Sequence, residues 1–173
     1  KVNQTEAESI AGMFSQSGYR VVDFSDEADV YVIHTCTVTA ESDKKSRNLI
    51  RRAVRQNPKA IVAVTGCYSQ VSPQVVEGIE GVDVVIGTGS LNRIVERVEE
   101  ARKQGVKVRE VADLAKANSF ENLPEQMAGR ARAFLKVQEG CRQFCTYCII
   151  PYARGPVRSR DPREVVTKVE EFV

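Results

Sequence analysis

The chain has 173 residues, of which 42% are hydrophobic and 28% charged, and its formal net charge is +2. This length allows one complete domain, or one domain and part of a second. The composition is that of a soluble globular protein, and no apolar stretch approaches the roughly 20 residues that a membrane-spanning helix needs. The five cysteines are unevenly spaced and do not form a dense disulfide framework, so we expect a reducing, cytoplasmic setting.

The first hundred residues alternate between helical and strand patterns, which predicts an α/β fold. Apolar residues at helical spacing predict three helices, over residues 5–17, 42–56 and 90–104. Short β-branched runs predict three buried strands, over residues 29–35, 60–65 and 82–87. The Ser72-Pro73 pair predicts the start of a further short helix. This alternation predicts a parallel sheet that is covered on both faces.

The periodicity fades over residues 112–132, which predicts a linker between an N-terminal domain (1–111) and a second domain (133–173). A strand is predicted over residues 133–138, ahead of a cysteine-rich segment. The Asp161-Pro162 pair predicts the start of a last helix. Its inward residues are expected to be Val165, Val166, Val169 and Phe172. Because one strand and one helix cannot close a barrel, we interpret the second domain as truncated.

Two regions are basic although the net charge is small. Residues 43–57 contain six Lys or Arg against one acid, and residues 128–160 contain seven against one. Such regions are typical of proteins that bind a polyanion, although a solvated helix face is the alternative for the first region. The inward residues of the helix in this region are expected to be Leu49, Ile50, Ala53 and Val54.

Three cysteines in a C-x3-C-x2-C motif are the most specific feature of the sequence: Cys141, Cys145 and Cys148. Three thiolates on one loop can hold three corners of a 4Fe-4S cube and leave the fourth iron open to a small molecule. Structural zinc usually takes four ligands, and the only histidine, His34, is distant in sequence. Zinc and free thiols stay open as alternatives, but the ligand count favours the cube. Placed after a strand and before a helix, the motif is expected at the mouth of a βα unit.

The segment from Glu139 to Arg160 resembles the methylthiotransferase branch of the radical S-adenosylmethionine (SAM) enzymes. The resemblance implies that the second domain is the first βα unit of a partial (β/α) barrel. It also implies that the cluster of the triplet binds SAM, whose reductive cleavage gives methionine and a 5′-deoxyadenosyl radical. Tyr147, the aromatic residue before the third cysteine, would then lie beside the SAM adenine. Ordinary packing in the loop is the alternative role for Tyr147.

Two further cysteines, Cys36 and Cys67, end the first and second predicted strands. Because parallel strands bring their C-terminal ends to one edge, we expect both thiols to face one crevice. Each could instead be a small buried hydrophobic residue. Their flanking segments resemble those that hold an auxiliary 4Fe-4S cluster in the same family, where a third cysteine precedes a segment similar to residues 1–4. The resemblance thus implies two clusters in the whole protein and a third ligand ahead of Lys1; His34 is not assigned as a ligand.

The resemblance implies an enzyme that methylates a cluster-linked sulfur with one SAM and uses a second SAM to remove hydrogen from the substrate carbon. Such an enzyme needs an electron donor and a sulfur source. The residues around Cys36 and over 149–160 resemble the bacterial branch that converts N6-threonylcarbamoyladenosine, beside the tRNA anticodon, to its 2-methylthio derivative.

Other activities stay open at this point. One branch of the family acts on isopentenyladenosine in tRNA and another on an aspartate of a ribosomal protein, and a non-catalytic zinc or iron–sulfur module is a further alternative. If the substrate is tRNA, the basic helix is expected to contact its phosphates. The contacts are expected at Lys44, Lys45, Arg51 and Arg55. The sequence gives no evidence for an obligate oligomer.

Overall fold

The computed structural model describes residues 2–124 and 134–171 of the chain. Its centre is a four-stranded, all-parallel sheet whose strand order follows the sequence. The strands are β1 (Val30–Thr35), β2 (Ile61–Gly66), β3 (Val84–Ile86) and β4 (Val108–Glu110). The helices of this part are α1 (Val2–Gln16), α2 (Ala40–Gln56), α3 (Cys67–Val71), α4 (Pro73–Glu77) and α5 (Ile94–Gln104). The predicted α/β fold with a parallel sheet is confirmed.

The sheet has an apolar core on each face, because successive side chains of a strand point to opposite sides. On one face, Val62 and Val64 of β2 pack with Ile50 of α2. On the other face, Ala63 packs with residues of α1 and α5, including Phe14 and Val98. None of the helices in the described ranges is long and apolar enough to cross a membrane.

The predicted inward face of α2 is partly wrong. Ile50 and Ala53 are fully buried and Val54 packs against the same core, but Leu49 is 43% exposed. Successive residues of a helix are about 100° apart, and the buried stripe of α2 is centred on Ile50 and Ala53, so Leu49 is turned toward solvent. The helix begins two residues earlier than predicted because Thr39 caps it, its Oγ1 accepting a hydrogen bond from the Ser42 amide at 3.1 Å.

Two short elements of the sheet domain were not predicted from the sequence pattern. Strand β4 has three residues, one of them apolar and two charged, and it pairs with β3 at the edge of the sheet. Helix α3 begins at Cys67, directly after Gly66 ends β2, so Cys67 is the first residue of a helix and not the last residue of a strand.

The second half differs more from expectation. Of the predicted strand at 133–138, Ala133 lies outside the described residues and 134–137 form no strand. Strand β5 (Gln138–Glu139) instead pairs antiparallel with β6 (Arg158–Ser159). Helix α6 (Ile150–Arg154) lies between them, and α7 (Pro162–Glu170) follows. The division into two domains and the barrel unit stay predictions.

The start of α7 agrees with the prediction, but its buried face differs from it. Asp161 caps α7 as predicted, accepting a hydrogen bond from the Arg163 amide at 2.7 Å. The predicted inward face of α7 is partly wrong within the described residues, since Val165 is half-buried but Val166 is 57% and Val169 48% exposed. Phe172 lies outside the described residues. Within the predicted linker, Leu114 and Leu123 are buried, while residues 125–132 lie outside the described ranges.

The turn from β2 into α3 requires glycine. Gly66 has a φ of +98°, and a Cβ placed on it would lie 2.3 Å from the Thr35 carbonyl oxygen and 2.8 Å from the Thr35 nitrogen. Thr35 Oγ1 also donates a hydrogen bond to the Thr65 carbonyl oxygen at 2.5 Å. The ends of β1 and β2 are therefore in close contact, and no larger residue fits between them.

We predict that Gly66→Ala destabilises the chain by at least about 3 kcal/mol, since it combines a strained backbone with a backbone clash. Gly18→Ala is the matched control, because Gly18 has a similar φ of +88° but no atom within 4 Å of the place that a Cβ would take. The control should lose only about 1–2 kcal/mol from the backbone conformation. Urea unfolding of both variants measures the difference, and equal losses of stability would contradict the close contact.

Candidate functional site

The first pair of cysteines lies at the C-terminal edge of the sheet. Cys36 follows Thr35, Cys67 follows Gly66, and Thr35 and Gly66 are register partners in neighbouring strands. Paired parallel strands lie about 4.8 Å apart, so the fold delivers the two cysteines to adjacent positions. The structure therefore places both at one edge, and their role as ligands stays a prediction.

The surroundings of the two thiols differ. Cys67 is 3% exposed, whereas Cys36 is half-buried. Burial raises the pKa of the Cys67 thiol above its ordinary value, and the charge of the Arg154 guanidinium acts in the opposite direction. The first turn of α1 borders the same edge, because Asn3 Nδ2 donates to the Thr35 carbonyl oxygen at 3.4 Å.

The cysteine triplet lies on the loop between β5 and α6. Cys145 is exposed, and Cys141 and Cys148 are half-buried; all three are free thiols. The loop closes on itself at its base, where the Cys141 amide donates to the Gly155 carbonyl oxygen at 3.0 Å. Within it, the Cys148 amide donates to the Cys145 carbonyl oxygen at 2.9 Å. Phe144 adopts a φ of +46°, in the left-handed region that few side chains occupy.

The chemistry of these donors fits an iron–sulfur cube. In the described ranges, no three His, Cys, Asp or Glu side chains converge on a point that could hold a single metal ion. A cube makes a different demand, because each thiolate binds a different iron. Three free thiols within eight residues supply that ligand set. Tyr147 is 91% exposed, so it has no packing role among the described residues, and its contact with SAM stays a prediction.

A buried carboxylate, Glu6 of α1, connects the sheet to the segment that carries the triplet. Its side chain is 1% exposed. Lys136 Nζ donates to it at 3.0 Å, and Arg154 donates to both of its oxygens, at 2.7 Å for Nη2 and Oε2. His34 Nε2 lies 3.0 Å from Oε2 of the same carboxylate. Glu6 therefore joins β1 and two regions more than a hundred residues away in sequence.

A second buried carboxylate, Glu139 of β5, extends this network. Lys136 Nζ donates to it at 3.1 Å. Arg158 Nη2 lies 3.0 Å from it as an ion pair without hydrogen-bond alignment, and Arg158 also donates to the Arg154 carbonyl oxygen at 2.8 Å. Since Glu139 directly precedes the triplet loop and Arg154 ends the helix after it, the network fixes both ends of that loop.

The cations decide the charge state of Glu6. Burial alone would raise its pKa, but the hydrogen bonds from His34 and Arg154 and the charges of Arg154 and Lys136 outweigh burial. Together they hold the pKa of Glu6 far below its ordinary value of 4.5. Sequence reasoning missed this residue because a lone glutamate on a helix is usually exposed. Its spacing was the available signal, since Glu6 shares a helix face with the core residues Ile10 and Phe14.

The exposed face of α2 is basic. The four residues predicted to contact tRNA are exposed, and no ion pair to them is seen in the described part of the chain: Lys44, Lys45, Arg51 and Arg55. The other two basic residues have structural contacts. Arg47 donates to the Tyr68 hydroxyl at 3.0 Å, and Arg52 lies over the Phe24 ring. Helix α2 starts four residues after Cys36 and rises about 1.5 Å per residue, so the basic residues from Lys44 to Arg55 extend over about 16 Å of its length.

The whole chain is similar to known proteins. The family model described as "Uncharacterized protein family UPF0004" matches residues 1–87. Two proteins named "Threonylcarbamoyladenosine tRNA methylthiotransferase MtaB", from Bacillus subtilis (strain 168) and Aquifex aeolicus (strain VF5), are 48% and 46% identical over 100% and 98% of the chain. A "tRNA-2-methylthio-N(6)-dimethylallyladenosine synthase" from Clostridium novyi (strain NT) is 33% identical over 100% of the chain. The chain spans 39%, 42% and 39% of the lengths of these three relatives.

We predict that Glu6→Gln destabilises the chain by about 3–5 kcal/mol at neutral pH, because it leaves Glu139 as the remaining counter-charge of the buried cations Arg154 and Lys136. The pKa of Glu6 is lowered in the folded state, so its contribution is present above its ordinary pKa of 4.5 and is lost as the pH falls below that value. The difference in unfolding free energy between wild type and variant should therefore shrink between pH 7 and about pH 3.

Urea unfolding across this pH range measures the effect. The control is Glu96→Gln, which removes one partner of an exposed pair with Arg93 and should change stability by less than about 0.5 kcal/mol. A Glu6 variant as stable as this control at neutral pH would show that the buried network contributes nothing.

Proposed function

The chain belongs to the family described as "Uncharacterized protein family UPF0004", and from this premise we propose that it is the part of a radical SAM methylthiotransferase that carries both cysteine groups. The observation that supports this most is the packing between their two segments. Helix α6, which follows the triplet loop, packs against α3, which begins at Cys67. Arg154, at the end of α6, donates to Asn3, which donates in turn to the Thr35 carbonyl oxygen beside Cys36. A single enzyme that uses two clusters needs their ligands to be held close together in this way.

Each cysteine group has its own role in the proposal. Cys141, Cys145 and Cys148 hold the cluster that binds SAM, and Tyr147 contacts the adenine of SAM. Cys36 and Cys67, with a third cysteine from outside this chain, hold the auxiliary cluster. When bound, these groups supply the reductive cleavage of SAM and the sulfur that is transferred.

The residues of the chain itself position these groups and exclude water. Burial of Cys67 keeps water from one side of the auxiliary site. The carboxylates of Glu6 and Glu139 hold the two ends of the triplet loop through Arg154 and Lys136. The loop is thereby fixed at its base, while the exposed Cys145 stays open to ligands.

The proposed substrate is N6-threonylcarbamoyladenosine beside the anticodon of tRNA, which is converted to its 2-methylthio derivative. The support is the higher identity to the two relatives named for this nucleoside, 48% and 46%, than to the dimethylallyladenosine relative, 33%. The basic face of α2 supplies contacts to tRNA phosphates. The reaction further requires an electron donor and a sulfur source, and we place it in the cytoplasm, where tRNA is found.

Mass spectrometry of tRNA nucleosides tests the function directly. A strain that lacks the full-length gene should lose the 2-methylthio derivative of threonylcarbamoyladenosine and accumulate its precursor, and the intact gene should restore the product. Loss of a methylthiolated isopentenyladenosine instead would assign the substrate of the other tRNA branch. Unchanged tRNA, together with zinc in place of iron and sulfide in the anaerobically purified protein, would favour a non-catalytic module.

We predict that substitutions in the two cysteine groups impair different steps of the reaction. In the full-length enzyme, Cys141→Ala, Cys145→Ala or Cys148→Ala should each abolish SAM cleavage, since each thiolate completes the same cube. Cys36→Ala or Cys67→Ala should remove about half of the iron and all methylthiolated product, while SAM cleavage continues. Iron analysis and 5′-deoxyadenosine assays separate these outcomes. Normal product formation by Cys67→Ala would identify Cys67 as an ordinary core residue.

We predict that neutralising the basic face of α2 weakens tRNA binding. In the full-length enzyme, a fourfold variant with glutamine at positions 44, 45, 51 and 55 should lower the salt dependence of the affinity by about one unit of slope for each phosphate that is no longer bound. A control variant with the same change in net charge replaces four basic residues elsewhere whose side chains are 42–74% exposed, Arg93, Arg102, Lys103 and Arg109. Binding titrations at two salt concentrations measure the slope for each variant. Equal slopes for the two variants would show that only the net charge matters and that this face of α2 makes no specific contact with tRNA.

A further inference from the structure

Residues 112–124, in the first part of the predicted linker, form a strap that contacts both the sheet domain and the segment of the triplet. At the start of the strap, the Ala112 carbonyl oxygen accepts a hydrogen bond from Gln70 Nε2 of α3 at 2.9 Å. Near its end, Leu123 packs into the apolar core that α1 and α5 share. Both ends of the strap are therefore attached to the sheet domain.

The first contact of the strap with the triplet segment is at the base of the triplet loop. Leu114 is buried and lies against Gly155, since a Cβ placed on Gly155 would be 2.9 Å from the Leu114 Cβ. The Gly155 carbonyl oxygen is the acceptor for the Cys141 amide, which closes the loop. Leu114 thus packs against the backbone that closes the triplet loop.

Further contacts lie on both sides of the triplet in sequence. The Phe120 ring contacts two cations, with its centroid 5.2 Å from Lys136 Nζ and 5.3 Å from Arg160 Cζ. Asn122 Nδ2 donates to Glu164 of α7 at 2.9 Å. Because Lys136 precedes the triplet and Arg160 follows it, the strap holds both sides of this segment to the sheet domain.

Glu121 lies between these two contact residues and has a partly unsatisfied carboxyl group. Its Oε1 accepts a hydrogen bond from the Asn92 amide at 2.9 Å, whereas Oε2 is buried without a hydrogen-bond partner among the described residues. Lys136 attracts an ionised Glu121, but Glu6 and Glu139 repel it, and both already pair with Lys136 at 3.0 and 3.1 Å. An ionised Glu121 is therefore a third carboxylate near one ammonium group, which favours its neutral form.

The other charged side chains on the elements next to Glu121 have contacts of their own. Arg93, beside Asn92, forms ion pairs with Glu96 and Glu110. Arg160 lies over the Phe120 ring. The described surroundings thus supply no hydrogen bond that would stabilise a second charged oxygen on Glu121.

The protonation of Glu121 is therefore coupled to its burial under the strap. Burial raises the pKa of Glu121 from its ordinary 4.5 to about 7; the Asn92 hydrogen bond and Lys136 oppose this increase, and Glu139 and Glu6 add to it. Because the pKa is raised in the docked state, the contribution of Glu121 to docking is complete below 4.5 and is lost as the pH rises through about 7.

We propose that the strap is a pH-sensitive clamp, in which neutral Glu121 holds residues 118–124 against the sheet domain and ionised Glu121 releases them. Release separates Phe120 and Asn122 from the triplet segment, while the buried ion pairs of Glu6 keep that segment at the sheet. The clamp requires no cluster at either cysteine group, so it stands or falls independently of the proposed function.

Limited proteolysis of the full-length protein tests the clamp, because cleavage after Phe120 by chymotrypsin requires the strap to open. The rate of this cleavage is measured by mass spectrometry at pH 6 and pH 8, each relative to the free 112–124 peptide of the same sequence at the same pH. In wild type, the relative rate should rise at least about fivefold between pH 6 and pH 8. Glu121→Gln, which copies the neutral carboxyl group, should change less than about twofold.

Two controls separate opening of the strap from other effects of pH. Glu164→Gln removes an exposed carboxylate that contacts the same strap through Asn122, and its cleavage should rise with pH as in wild type. Cleavage after the buried Tyr68 reports unfolding of the sheet domain and should stay slow at both pH values. A wild-type rate that is the same at both pH values, or a rise in Glu121→Gln equal to that of wild type, would overturn the proposal. Equal acceleration after Tyr68 would overturn it too, because the whole sheet domain would then be unfolding.

Discussion

The ion pair between Glu6 and Arg154 is the interaction on which the arrangement of this molecule depends. It joins α1, at one end of the described chain, to α6, and the sequence separation between the partners is 148 residues. Both side chains are almost completely buried, so each charge needs a buried partner of opposite sign. Lys136, His34 and Glu139 are further members of the buried network described above. These buried ion pairs hold the triplet segment against the sheet edge, whereas the two apolar cores stabilise the sheet itself.

The second constraint is the register of the parallel strands. Because Thr35 pairs with Gly66, the residues that follow them leave the sheet side by side, and both of those residues are cysteines. The close backbone contact at Gly66 fixes this spacing. The edge also marks the start of α2, whose exposed basic face extends away from it. One edge of a simple βα sheet therefore brings together two thiols, a fixed guanidinium and the beginning of a surface suited to a polyanion.

The sequence predicted what local patterns encode. Short β-branched runs identified β1 and β2, helical spacing identified α2 and α5, and parallel topology alone placed Cys36 and Cys67 at one edge. It missed β4, whose three residues include two charges, and it misplaced a strand at 133–138, because the partner of β5 lies about twenty residues further along the chain. The buried network was missed for a related reason: charged residues are normally exposed, and only tertiary contacts identify the few that are paired inside.

The central claim, that the Glu6–Arg154 pair binds the triplet segment to the sheet, is tested most directly by a double-mutant cycle. Unfolding free energies of wild type, Glu6→Gln, Arg154→Gln and the double variant give the coupling between the two side chains. The buried pair should show a coupling of about 2–3 kcal/mol. The half-exposed pair of Glu77 and Arg109, 3.3 Å apart, serves as a reference and should show less than about 1 kcal/mol. A coupling between Glu6 and Arg154 no larger than this reference would contradict the account.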